Sequence, residues 1–186
     1  HSMGGLVGYE VVSRAHKALY GLVTIGTPTN LSAHPISKLH YAMFKWFCWG
    51  LPVSYLGKLS TLVSPWAAWI LWLHPAPLYT NMDTLPRSDL RRLLVQALED
   101  TPRQLIQEFI DAINGRGPLS EQGWSRYRAM LRGLPVPILA IAGDRDGLAP
   151  LEVTEMIKEW GPRDKTTFKV VEGYGHGDLI ISGAAC

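Results

Sequence analysis

The sequence predicts an α/β fold: a parallel sheet flanked by helices, into which a helical subdomain is inserted. Three observations point there. Residues 19–25 (LYGLVTI) and 136–142 (VPILAIA) are unbroken apolar runs, and residues 166–171 (TTFKVV) read as a third strand. Helical segments alternate with these runs. Strands covered on both faces lose the in–out alternation of a half-exposed strand, and their alternation with helices argues for parallel pairing. Residues 31–133, helical in character and rich in aromatics, separate the first run from the second and are too many for a plain crossover.

Along the chain, residues 4–17 can form a helix directly after Ser2, with Leu6, Val7, Val11, Val12 and Ala15 as its apolar face. Gly26-Thr27-Pro28 ends the first strand. In the insertion, residues 89–99 and 101–114 are the clearest helices. Thr101 is an N-cap candidate, Pro102 suits the first helical position, and Gly115 is a stop. Residues 151–160 form a short amphipathic helix entered at Pro150 and stopped by Gly161-Pro162. The expected organisation is thus a core of residues 1–30 and 134–186 and a helical cap of residues 31–133.

Composition narrows the function classes. A chain of 186 residues, 47% hydrophobic and 18% charged, can build one domain with a real core. Its net charge of +2 is too small to argue for nucleic acid as a partner. Cys48 and Cys186 are far apart and suggest neither a disulfide framework nor a metal site. The longest apolar stretch, residues 62–73, is too short to span a bilayer and is interrupted by Pro65.

Three short segments carry the chemistry. The first is His1-Ser2-Met3-Gly4-Gly5. A serine hydroxyl is a weak nucleophile until a base takes its proton. A tight strand-to-helix turn with small neighbours presents it well, in the pattern Gly-x-Ser-x-Gly, of which x-Ser-x-Gly is present. The second is Gly143-Asp144-Arg145-Asp146-Gly147, after the second apolar run. A carboxylate there lies at the carboxyl edge of a parallel sheet, where active sites form. The third is Gly173-Tyr174-Gly175-His176-Gly177-Asp178, after the third strand. A histidine between glycines suits a base that must reach another side chain. Singly, each also reads as an ordinary turn, a solvated acid or a surface histidine. Together they occur in the order Ser, Asp, His, each at a strand end, with acid and histidine one strand–helix–strand unit apart.

With these pieces in view, the sequence resembles the α/β-hydrolase superfamily. The matching segments are HSMGG, GLVTIGTP, AGDRDGLAP and YGHGDLI, within residues 1–30 and 134–180. The resemblance implies a partial α/β-hydrolase sheet with an inserted cap, Ser2 as nucleophile, Asp146 as acid, His176 as base and the Met3 N–H as one oxyanion donor. It implies no cofactor and no metal. In that family further strands and a second oxyanion donor precede the elbow. The expectation is therefore a C-terminal fragment, inactive alone, of a parent enzyme.

The middle region speaks to substrate. Residues 11–82 contain no Asp or Glu, yet hold five of the seven tryptophans: Trp46, Trp49, Trp66, Trp69 and Trp72. Lys38, Lys45 and Lys58 are scattered among them. Such a composition fits rings packing the cap onto the core, an apolar acyl-binding surface, or a face for the membrane interface. Trp46, Trp49, Trp66, Trp69 and Trp124 are the candidate substrate contacts. The expected activity is hydrolysis of carboxylic esters with a hydrophobic acyl group, on a small-molecule or lipid-like substrate, through an acyl-enzyme. An acyltransferase or polyester-synthase-like enzyme on the same fold is the alternative, although such synthases place cysteine at the elbow. A non-catalytic binding module is another.

Overall fold

In a computed structural model of the chain, residues 1–30, 81, 104, 108, 111 and 121–181 are described. The elements are α1 (Met3–Ala15), a 3-10 turn (His16–Ala18), β1 (Leu22–Ile25), α2 (Glu121–Arg132), β2 (Ile138–Gly143), α3 (Leu151–Thr154), α4 (Ile157–Trp160), β3 (Thr166–Val171) and α5 (Asp178–Ile181). The strands form one sheet in the order β1-β2-β3. Both pairings are parallel, with Leu22 opposite Ile138 and Ile138 opposite Thr166. β2 is central and the most apolar, as a strand with neighbours on both edges must be.

One cluster organises the core. Tyr9 and Val12 of α1, Leu131 of α2, Ile157 and Trp160 of α4, and Ile138 and Ala140 of β2 pack together with Leu134 and Val136. Ile138 and Ala140 are two positions apart and share a face, so α1, α2 and α4 cover the same side of the sheet. Tyr9 is fully buried there, and its hydroxyl lies 3.3 Å from Thr24 Oγ1. Burial raises the Tyr9 phenol above its ordinary pKa and raises that of Tyr127 further.

Several sequence expectations are revised. The buried stripe of α1 is Gly5, Tyr9 and Val12, while Val7 and Val11 are 58% and 47% exposed. The reason is Gly5: only a residue without a side chain fits there, since a Cβ would lie 2.1 Å from Thr27 Oγ1. That contact fixes which face meets the sheet. β1 is shorter than the apolar run, with Leu19 and Tyr20 outside it and exposed. Among the described residues Val23, on the face of β1 away from the core cluster, is 59% exposed rather than covered. The helix expected over residues 151–160 is broken into α3 and α4. Thr154 Oγ1 donates back to the carbonyls of Pro150 and Leu151, at 3.1 and 3.3 Å. The amides of Lys158 and Glu159 then bond three residues back instead of four, the tightening that such back-bonding promotes.

Gln104, Glu108 and Asp111 are helical, and Gln104 Nε2 donates to Glu108 Oε1 at 3.0 Å. Cys48 and Cys186 lie outside the described residues, as does the rest of the expected cap apart from Asn81 and residues 121–133. Among the described residues no helix is long and apolar enough to cross a membrane.

Candidate active site

Ser2 enters α1 with φ of 53°, the only non-glycine among the described residues with positive φ. A left-handed backbone costs an L-residue about 1–2 kcal/mol, so the surroundings must hold it. They do so through the backbone: the Ser2 amide donates to the Ile25 carbonyl at 3.0 Å, and the Gly5 amide donates to the Ser2 carbonyl at 2.9 Å. Ser2 is thereby pinned to the carboxyl end of β1. Met3 opens α1, so its N–H has no acceptor within the helix and sits at the positive end of the helix dipole.

β1 runs directly into Gly26, whose amide donates to Ile141 of β2 at 2.8 Å. Gly26 has φ of 52°, and a Cβ on it would lie 3.1 Å from Asp146 Oδ2 and 3.2 Å from His176 Nδ1. It is the floor beneath these two side chains. Asp146 leaves the carboxyl end of β2 and is 3% exposed. Its Oδ1 accepts from the amides of Leu148 and Ala149 at 2.9 and 2.7 Å, and its Oδ2 takes His176 Nδ1 at 2.8 Å. Three hydrogen bonds offset the desolvation of the buried carboxylate. With Nδ1–H donating to Asp146, the neutral imidazole keeps a lone pair at Nε2, the arrangement a general base needs.

His176 is 6% exposed and follows β3 in a loop knit to the acid loop. The amides of Asp144 and Arg145 donate to the carbonyls of Val171 and Tyr174, at 3.3 and 3.0 Å. The Gly173 amide donates to Asp144 Oδ1 at 2.6 Å. At Gly143 a Cβ would lie 2.0 Å from the Tyr174 carbonyl oxygen, so glycine is what lets the two loops approach. His1 adds a further contact, with Nε2 3.1 Å from the His176 carbonyl oxygen and ring centroids 4.5 Å apart.

The structure thus joins Asp146 to His176 directly and brings Ser2 to the same strand edge. Among the described residues no hydrogen bond links the Ser2 hydroxyl to the imidazole. Trp46, Trp49, Trp66 and Trp69 lie outside the described residues, as does the side chain of Trp124, whose backbone is in α2. Sequence reasoning quoted Gly26, Gly143, His1, Asp144 and Asp178 within its segments without giving them a place at the site, and did not single out Asn81. A glycine closing each of two apolar strands was a usable signal for the first two. The elbow glycine of the sequence pattern, Gly4, meets nothing within 4 Å among the described residues, and the crowded position is Gly5.

No family model matches the sequence, and no curated protein matches it. Solved structures do. An esterase from Thermogutta terrifontis superposes with a TM-score of 0.57 at 19% identity, over 97% of this chain and 57% of that one. A putative lipase from Acinetobacter baumannii gives 0.58 at 14%, over 97% and 54%. The thioesterase domain of the curacin biosynthetic pathway gives 0.54 at 18%, over 100% and 62%. The chain therefore spans less than two thirds of the length of each. Given the sheet order, the strand-end placement of the loops and these superpositions, the chain has the α/β-hydrolase fold, in part.

Proposed function

We propose that this chain belongs to a serine hydrolase that cleaves carboxylic esters with a hydrophobic acyl group. The observation that carries the reading is the buried Asp146–His176 bond at the strand edge to which a positive-φ serine is tied. As Ser2 Oγ attacks the ester carbonyl, His176 Nε2 takes its proton, and Asp146 stabilises the imidazolium that forms. The Met3 N–H donates to the tetrahedral oxyanion; one such donor is worth about 10²–10³ in rate. Collapse breaks the carbonyl–alkoxy bond, the imidazolium protonates the leaving alkoxide, and an acyl-Ser2 remains. A water deprotonated by His176 then attacks the acyl carbon. The second tetrahedral intermediate releases the acid and returns the proton to Ser2.

The substrate class rests on composition. The acid-free, tryptophan-rich stretch of residues 11–82 supports an apolar acyl group and a contact of the cap with the membrane interface. The esterase and lipase among the structural neighbours accord with an ester substrate. The test is turnover of p-nitrophenyl esters by the whole protein, together with labelling by a fluorophosphonate. Ser2→Ala should abolish both, and the label should map to Ser2. Turnover that survives Ser2→Ala refutes the mechanism, and an unlabelled wild-type protein supports a binding module instead.

A further inference from the structure

We propose that Asn81 and Asp178 are positioning residues that hold the His176 loop in register with Asp146, an inference that rests on the serine-hydrolase reading above. His176 stands in Gly173-Tyr174-Gly175-His176-Gly177, where three glycines give the backbone the most freedom a chain can have. Gly173 uses that freedom, with φ of 81°. The 2.8 Å bond to Asp146 needs a loop held to within about 0.5 Å, so something outside the loop must fix it.

Asp178 fixes one side. It is fully buried, and its Oδ2 accepts from the Gly175 amide at 2.9 Å, one residue before the histidine. Asn81, distant in sequence, fixes the other. Its Nδ2 donates to the Gly173 carbonyl at 2.5 Å, while its own amide donates to Asp178 Oδ1 and Oδ2 at 3.3 and 3.4 Å. Four residues close a ring of hydrogen bonds on the backbone flanking His176, from Gly173 through Asn81 and Asp178 to Gly175. A buried carboxylate costs more to desolvate than a neutral cap would. Asp178 offsets that cost by serving loop and distant segment at once. The Asn81 side-chain amide nitrogen and the Asp178 carboxylate each bond the backbone beside His176, so the pair acts through the histidine.

The test is a series in the whole protein: Asn81→Ala, the near-isosteric Asn81→Asp, and Asp178→Asn. Rates on an ester are expressed per site titrated by fluorophosphonate. Asn81→Ala should lower kcat roughly 10- to 100-fold, since misplacement by about 1 Å costs about 100-fold. KM should stay within about twofold, as expected where uniform substrate binding is untouched. Asn81→Asp should cost at least as much, because a carboxylate oxygen would replace the donor facing the Gly173 carbonyl; a residue that only fills space would tolerate it. Wild-type kcat per titrated site in both Asn81 variants overturns the proposal even if Asp178→Asn fails to fold, and so does a loss confined to KM. Ser2→Ala and His176→Ala run alongside: if these keep turnover, the hydrolase reading itself has failed.

Discussion

Replacing Gly26 with alanine tests how closely the floor of the site is fitted. Two costs can be worked from the geometry. The first is conformational: at φ of 52° an L-residue is strained by about 1–2 kcal/mol. For a protein of this size that corresponds to a fall in Tm of about 2–8 °C. The second is steric. The new methyl carbon would stand 3.1 Å from Asp146 Oδ2 and 3.2 Å from His176 Nδ1. Such contacts relax near about 3.5 Å, so roughly 0.3–0.4 Å must be found by moving the pair. If 1 Å of misplacement costs about 100-fold, a third of that costs about fivefold in kcat. The assay is ester turnover per titrated site beside a thermal melt, with Gly133→Ala as the control. A Cβ at Gly133 meets its nearest neighbours at ordinary distances, 3.5 and 3.6 Å, and kcat should not change. Wild-type kcat in Gly26→Ala would refute the claim that this glycine sets the height of the acid–base pair.

Asp146→Asn should lower kcat on the order of 10³–10⁴-fold while leaving fluorophosphonate access open, because an amide can hold the imidazole in the wrong tautomer; kcat within tenfold of wild type contradicts the assigned role. Gly143→Ala should cost about 3 kcal/mol, the upper end for overpacking, since the added carbon meets a backbone carbonyl that cannot rotate away; urea denaturation reads it, and a loss under about 1 kcal/mol counts against the close approach of the two loops. Alkaline pH should destabilise the fold. Burial raises the Tyr9 and Tyr127 phenols in the folded state, so the native state retains protons that the unfolded chain releases near pH 10. Their stabilisation is complete below that pH and declines as pH rises through it and beyond. Tyr127→Phe should flatten the decline in urea melts from pH 9 to 11.5; an unchanged slope refutes the assignment.

The strands and the turns that follow them were legible because their signals are local. β2 needed only an unbroken apolar run, and Asp146 and His176 needed only to follow strands. The register of α1 was not legible, because Val7 and Val11 are as apolar as Val12. What decides among them is the absence of a Cβ at Gly5 opposite Thr27, a contact between residues whose proximity only the fold creates. The same holds for Asp178. Its place two residues after the histidine was visible, but its use depends on Asn81, 97 positions away. Thr154 broke a helix through its hydroxyl, which periodicity does not weigh.

The backbone stitching between the acid and histidine loops bears on the chain entropy lost in bringing the site together. Asp146 and His176 are 30 positions apart and flank one strand–helix–strand unit, so their union closes a short loop. Ser2 must come in from far upstream, and closing the larger loop costs about 1.4 kcal/mol more in chain entropy. The Asp146–His176 contact is therefore closed within the last third of the chain. Joining Ser2 to that pair is the entropically costlier contact, and the Gly26 and Asn81 contacts couple the upstream chain to the loops that carry Asp146 and His176.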